Sequence, residues 1–226
     1  MCGRYLFSTQ EYKEFRQIVR DAQRRSNGQH NELNFPMAGD IAPTAEAPVL
    51  IASGDKVVAE FQRWGIPGWR GGLMINARAE TVCEKPMFRK SIAAQRCVIP
   101  ASGYYEWDAG KHKYFFQLPG KPIYLAGIYD NIEGINCFVI LTTAPNERVK
   151  DIHDRMPLIL NHDQVRPWLT DAQSALGLLT IVPPALQRRS EDGSCLSEIL
   201  CDMIERHAII IEGAHSHECF VQFQGI

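Results

Sequence analysis

Residues 96–143 read RCVIPASGYYEWDAGKHKYFFQLPGKPIYLAGIYDNIEGINCFVILTT. Apolar, aromatic and β-branched runs alternate here with tight turn signals, the pattern of short antiparallel strands joined by hairpins. The strand candidates are 96–100, 103–108, 113–118, 122–129 and 136–143, with Asp108-Ala109-Gly110 and Pro119-Gly120 between several of them. Working outward, 47–53, 56–65, 157–160 and 3–8 carry the same signature. Ser8 with Glu11 forms a capping-box pattern, and Tyr12, Phe15, Ile18, Val19 and Ala22 follow at helical spacing, which predicts a helix over 9–25. Residues 26–46 read as a loop, 76–95 as an irregular helix, and Asn161 as the cap of a short helix to about 171. The expected class is α+β: a predominantly antiparallel β fold with a few flanking helices and no internal repeat.

Composition sets the broad class. The chain has 226 residues, 45% hydrophobic and 22% charged, which is ordinary for a globular protein. It holds no run of 18 apolar residues and no basic-then-apolar leader, so neither a membrane span nor a signal peptide is expected. A cytoplasmic protein, nucleoid-associated when it acts on DNA, is the default. Seven cysteines without paired spacing argue for reduced thiols rather than a disulfide framework. The net charge of −2 hides an asymmetry: Ser190–Ile226 holds seven acids and one base, while residues 1–189 hold 23 bases and 19 acids. The mildly basic body permits nucleic-acid binding without requiring it. Residues 1–187 are the expected domain and 188–226 an acidic tail packed on it, with Leu196, Ile199, Leu200, Met203 and Ile204 striping one face of an amphipathic helix.

The candidate chemistry starts at Met1-Cys2-Gly3-Arg4-Tyr5. A small residue after the initiator favours removal of Met1, which leaves Cys2 with a free α-amine beside its thiol. Such an amine titrates near ~8, well below the ~10.4 of lysine. An aldehyde meeting this group forms an imine at nitrogen, and sulfur then closes a five-membered thiazolidine. Three further segments place polar residues in unusual company. Asn76 and Arg78 stand in Ile75-Asn76-Ala77-Arg78-Ala79-Glu80-Thr81, after a turn-rich Trp64–Trp69 segment. Glu106 stands in the aromatic strand Gly103-Tyr104-Tyr105-Glu106-Trp107, where alternation gives it the face of Tyr104, and burial would raise its pKa toward acid–base duty. His153 and Arg155 stand in Asp151-Ile152-His153-Asp154-Arg155-Met156-Pro157, as proton carrier and anion contact.

With Ala42-Pro43-Thr44 and Pro67-Gly68-Trp69 added, these motifs resemble, in the right order and over roughly residues 1–185, the SRAP family of abasic-site-processing proteins. The resemblance implies a β-rich fold with a basic groove for single-stranded DNA carrying abasic sites. It implies that Cys2 is the nucleophile of a thiazolidine DNA–protein crosslink. Asn76 would hold the Cys2 terminus or the sugar, Glu106 would move protons at the amine and the opened sugar, and His153 would assist ring opening and reversal. Arg4, Arg78 and Arg155 would meet phosphates, with Pro43, Trp69 and Trp107 as further DNA contacts, the tryptophans by stacking or wedging. Self-processing peptidase and lyase-like activity, and replication-fork proteins as partners, are further implications; no cofactor or metal is implied. The chain departs from the family at Asp40, where many relatives have Asn or Glu, at Lys85-Pro86 before Met87-Phe88, and in its acidic tail.

Three other readings compete. Class II glutamine amidotransferases also begin Met-Cys-Gly, but they continue Ile-Val and carry Asn-Gly-Asp, whereas here Asn27-Gly28 precedes Gln29. A zinc module would use Cys195, Cys201, His207, His215, His217 and Cys219, whose spacing matches no common zinc pattern. A DNA-binding protein without a covalent step would keep its DNA phenotype when Cys2 is replaced by Ala.

Overall fold

A computed structural model describes residues 2–26, 38–68 and 71–191. In chain order these form β1 (Arg4–Ser8), α1 (Lys13–Arg25), β2 (Ala38–Ile41), β3 (Glu46–Ser53), β4 (Lys56–Trp64), β5 (Ile66–Pro67), β6 (Leu73–Met74) and β7 (Asn76–Arg78). There follow α2 (Pro86–Ala94), β8 (Arg96–Ala101), β9 (Gly103–Trp107), β10 (Lys113–Gln117), β11 (Ile123–Ile132) and β12 (Ile135–Thr143). The last elements are β13 (Met156–Pro157), β14 (Ile159–Leu160), α3 (His162–Thr170), α4 (Ala172–Leu178) and β15 (Gln187–Ser190). The class is α+β and mostly antiparallel, as the strand-and-turn pattern implies. Trp69 and the tail helix with its Cys/His cluster lie outside the described residues. Among the described residues no helix is long and apolar enough to cross a membrane.

Five strands close on themselves: β4 pairs with β3, β3 with β8, β8 with β11, β11 with β12, and β12 with β4. The last pairing is parallel, as is that of β7 with β12; the others are antiparallel. At the centre of this closed set β8 is buried on both faces: every residue from Arg96 to Ala101 is buried, and Cys97–Ala101 is an apolar run. Alternation divides the burial between two cores. Cys97, Ile99, Leu125, Phe138 and Ile140 join one cluster, which also holds Cys2, Tyr5, Phe7 and Tyr104. Val98, Ala126, Val139 and Leu141 join a second, with Phe88 of α2 and Trp168 of α3.

An open antiparallel sheet in the order β15-β10-β9-β1-β2 packs its Tyr5 and Tyr104 face into the first cluster. Gly103 permits that sheet: a Cβ there would lie 2.4 Å from the Phe115 ring and 2.5 Å from the Phe116 carbonyl. The sheet ends in β15, four residues that pair with β10 through Ser190, so the first residues after 187 lie on the folded body.

Several local expectations are corrected. The helix starts at Lys13, not 9, because Tyr12 is still extended; Ser8 Oγ accepts from Glu11 N at 3.4 Å in a turn before it. The 26–46 segment contains β2. Residues 76–95 are not one helix: 76–78 form a strand in register with β12, and helix begins only at Pro86, which suits the first turn. The expected strand 157–160 is two short ones, β13 and β14, on β12 and β11 respectively. The helix ending near 171 is followed at once by α4, for which Asp171 accepts from Ser174 N at 2.9 Å.

Arg96 ties the helices to the barrel. Its guanidinium donates to the carbonyls of Trp168 (2.6 Å), Ile92 (3.0 Å), Ala93 (2.6 Å) and Leu169 (3.2 Å), at the last turns of α2 and α3. Replacing Arg96 by Met should lower stability by about 3 kcal/mol, read as a lower urea midpoint at unchanged slope, because four carbonyls, three of them in buried contacts, lose a charged donor. Lys should recover only part, since one ammonium does not fork between two helices. An unchanged midpoint in the Met variant would show that Arg96 is a bystander.

Candidate active site

Cys2 enters the interior because β1 is a central strand. Tyr5 pairs with Tyr104 of β9 on one side and Ile41 of β2 on the other, so the chain end is drawn between the open sheet and the barrel. Cys2 is fully buried and clusters with Tyr5, Trp64 and Tyr104. Burial, reinforced by the Glu106 carboxylate, pushes its thiol well above the ordinary cysteine range, so the resting sulfur is a thiol.

Asn76 reaches this point from the barrel. Its Nδ2 donates to the Cys2 carbonyl at 2.9 Å. The strand that carries it is fixed on both flanks: Trp64 Nε1 donates to the Ile75 carbonyl at 2.9 Å, and Ala79 N donates to the Thr142 carbonyl at 2.9 Å. Asn76 Oδ1 is buried with no hydrogen-bond partner among the described residues.

Glu106 shares the inward face of β9 with Tyr104 and is 3% exposed. Burial raises its carboxyl pKa, while the positive charge of the amino terminus and His153 hold the rise back. His153 Nε2 stands 4.0 Å from Glu106 Oε1. The ring sits on a turn after β12 whose backbone is held by His153 N donating to the Val149 carbonyl at 2.9 Å. Its Nδ1 lies 2.8 Å from Asp154 Oδ1 and 3.1 Å from the Arg155 backbone N–H.

Two of the three arginines expected to meet phosphate have internal partners. Arg155 makes a two-pronged bridge to Glu80, Nη1–Oε1 2.8 Å and Nη2–Oε2 2.7 Å, and Nη2 also donates to the Thr142 carbonyl at 2.6 Å. Those bonds hold the Glu80 carboxyl below its ordinary range. Arg4 Nη1 lies 3.5 Å from Asp40 Oδ2, with both side chains partly open to solvent. Arg78 is exposed, and Pro43 and Trp107 are half-buried.

Three features escape a sequence reading. The buried hydroxyls of Tyr5 and Tyr104 have no hydrogen-bond partner among the described residues, and desolvation by burial raises both phenols. Tyr104 was legible only as the face-mate of Glu106. On the other face, Tyr105 is pushed up to about 12 by burial and then by Asp40. Its ring carries the Lys113 ammonium 3.8 Å from its centre. Asp154 beside His153 follows from a turn geometry that no periodicity encodes.

The family described as SOS response associated peptidase (SRAP) matches residues 1–191. The abasic site processing protein YoqW of Bacillus subtilis is 37% identical over 191 residues, which cover 75% of this chain and 80% of that protein. The abasic site processing protein YoaM of the same organism is 41% identical over 146 residues, 58% of this chain and 64% of YoaM, so the matched part spans less than two thirds of that relative. Among solved structures, a Bacteroides thetaiotaomicron protein superposes with a TM-score of 0.64 at 26% identity, covering 84% of this chain and 91% of that one.

Two outcomes follow from the geometry. Iodoacetamide should label exposed Cys83 promptly in the native protein and buried Cys2 only slowly, with the difference erased in urea; equal native rates would contradict the burial of Cys2. Glu106 should set a pH dependence. Its folded carboxyl keeps a proton that the unfolded chain gives up near 4.5, so its contribution to stability falls as pH rises from there through the raised value. Glu106→Gln should therefore match the parent at pH 4 and below and exceed it increasingly toward neutrality. A difference independent of pH would place the carboxylate in water.

Proposed function

The chain belongs to the SRAP family, whose match spans residues 1–191, and from that premise we propose that it processes abasic sites in single-stranded DNA by capturing them covalently on Cys2. The observation that carries the reading is a buried Cys2 held through its own carbonyl by Asn76 in the electrostatic reach of Glu106. The relatives YoaM and YoqW are named as abasic site processing proteins.

The residues divide the work as follows. Removal of Met1, the self-processing step behind the peptidase name, frees the Cys2 amine. The Glu106 carboxylate takes a proton from the Cys2 ammonium, and the neutral amine adds to the ring-opened sugar aldehyde. The same carboxyl, with His153 beside it, returns the proton as the carbinolamine hydroxyl leaves as water. The Cys2 thiol then adds across the C=N bond: sulfur bonds carbon, and its proton passes to nitrogen. One aldehyde and one aminothiol thus give one thiazolidine and one water. A thiol kept protonated in the resting state suits this order, because nitrogen must react first. Asn76 fixes the Cys2 backbone, and its unpartnered Oδ1 is an acceptor for the amine or a sugar hydroxyl. Holding both reactants in one cleft supplies effective molarities of about 10⁵ M or more.

Arg4, Arg78 and Arg155 supply positive charge to the phosphates around the lesion, and Pro43, Trp69 and Trp107 supply flat surface to its neighbours. Because Glu80 and Asp40 already hold two of these arginines, binding exchanges internal ion pairs for phosphate pairs.

Purified protein mixed with single-stranded DNA carrying one abasic site should give a heat-stable shifted band on a denaturing gel. Cys2→Ala should abolish the band, and Cys2→Ser should give weaker, less stable capture. His153→Ala should slow formation or reversal while leaving DNA affinity within a few-fold. A band of parental intensity from Cys2→Ala would overturn the assignment.

A further inference from the structure

We propose that Asp154 is a positioning residue that selects the tautomer of His153 and so connects the buried Glu106 carboxyl to solvent. The inference rests on the proton-transfer role given to Glu106 above and adds the route by which that buried group exchanges its proton.

Three side chains form a graded line from interior to water. The Glu106 side chain is 4% exposed, that of His153 24% and that of Asp154 82%, with 4.0 Å between Glu106 Oε1 and His153 Nε2 and 2.8 Å between His153 Nδ1 and Asp154 Oδ1. The Arg155 backbone N–H also points to Nδ1, at 3.1 Å. One ring nitrogen serves only one of these partners at a time. A protonated Nδ1 has the Asp154 carboxylate as its acceptor within reach at 2.8 Å, and a bare Nδ1 accepts from Arg155 N–H, the hydrogen bond seen in the structure. Each state presents the opposite character toward Glu106: an Nε2 lone pair in the first, an Nε2–H in the second.

The proton balance follows. From the first state, the Glu106 carboxyl gives its proton to Nε2, across a gap that closes or is bridged by one water. Nδ1 gives its proton to Asp154, which passes it to bulk water. The imidazole is neutral before and after, and ends with its bare Nδ1 on Arg155 N–H. The reverse sequence reloads Glu106. No electron moves, and only N–H and O–H bonds break and form. Three other charged groups lie nearby: the amino terminus acts on Glu106, Arg155 is bridged to Glu80, and Asp151 to Arg188. Asp154 is thus the carboxylate that serves Nδ1 from the solvent side. Glu106, whose burial favours the protonated form, must shed that proton before it can act as a base, and, nearly sealed from water, it needs such an exit.

The test is a two-bond ¹H–¹⁵N correlation of the imidazole nitrogens in the full chain labelled at histidine, with the His153 signals assigned through His153→Gln. The parent should show His153 with a substantial Nδ1–H population. In Asp154→Ala that population should fall about threefold or more relative to Nε2–H, the size expected of a solvent-exposed charged contact. Asp154→Glu should restore it. Thermal unfolding of the variants should match the parent, since the side chain is 82% exposed. Crosslinking to abasic single-stranded DNA should slow in step with the lost tautomer, while affinity for intact single-stranded DNA stays unchanged. An unaltered tautomer ratio in Asp154→Ala would overturn the proposal. A shifted ratio in a parent that forms no crosslink would support the tautomer assignment and overturn the covalent function instead.

Discussion

The hydrogen bond from Asn76 Nδ2 to the Cys2 carbonyl joins the open sheet and the barrel at the reactive residue. Cys2 belongs to the open sheet through β1, and Asn76 belongs to the barrel through its parallel pairing with β12. Neither part alone fixes the chain end. A terminal residue ordinarily frays. Here it is held because β1 has a strand on each side, because Tyr5 packs into the core, and because the first carbonyl of the body has a barrel donor. The same arrangement excludes water around the thiol and raises its pKa, so geometry and reactivity have one cause.

Electrostatics in the site divide along burial. Inside, Glu106 is desolvated and its proton is easily retained; outside, Arg155 and Arg4 are compensated by Glu80 and Asp40. The interior carboxyl is thereby made suitable for proton transfer, and the exterior cations are held in defined positions before any ligand arrives. The Glu80–Arg155 bridge also reaches the Thr142 carbonyl, opposite Arg78 in the register of β12 with β7, so the loop carrying His153 and the strand carrying Asn76 are tied to one another.

The block 96–143 was legible because its signals are local: strand alternation and tight turns act over neighbouring residues. The same is true of the face shared by Tyr104 and Glu106. The strand at Asn76–Arg78 was not, because Asn-Ala-Arg-Ala-Glu is rich in helix formers, and the pairing with β12 that overrides them is contributed from more than sixty residues away. β15 was hidden because Gln-Arg-Arg-Ser has no apolar alternation; an edge strand with cations lying over Tyr114 and Phe115 needs none. The choice of Cys2, Asn76, Glu106 and His153 came from ordered motifs rather than from spacing. What the motifs did not carry is the pairing of the arginines and the place of Asp154, since both depend on side-chain geometry in turns.

The central claim is that Cys2 uses both its nitrogen and its sulfur. The direct measurement is tandem mass spectrometry of the nuclease- and protease-digested crosslink. The account predicts one adduct, on a peptide that begins at Cys2 without Met1, with the mass of the sugar aldehyde fragment less one water. That peptide should resist both amine-tagging and thiol-alkylating reagents. An adduct on a lysine, or one at Cys2 whose thiol still alkylates, would contradict it.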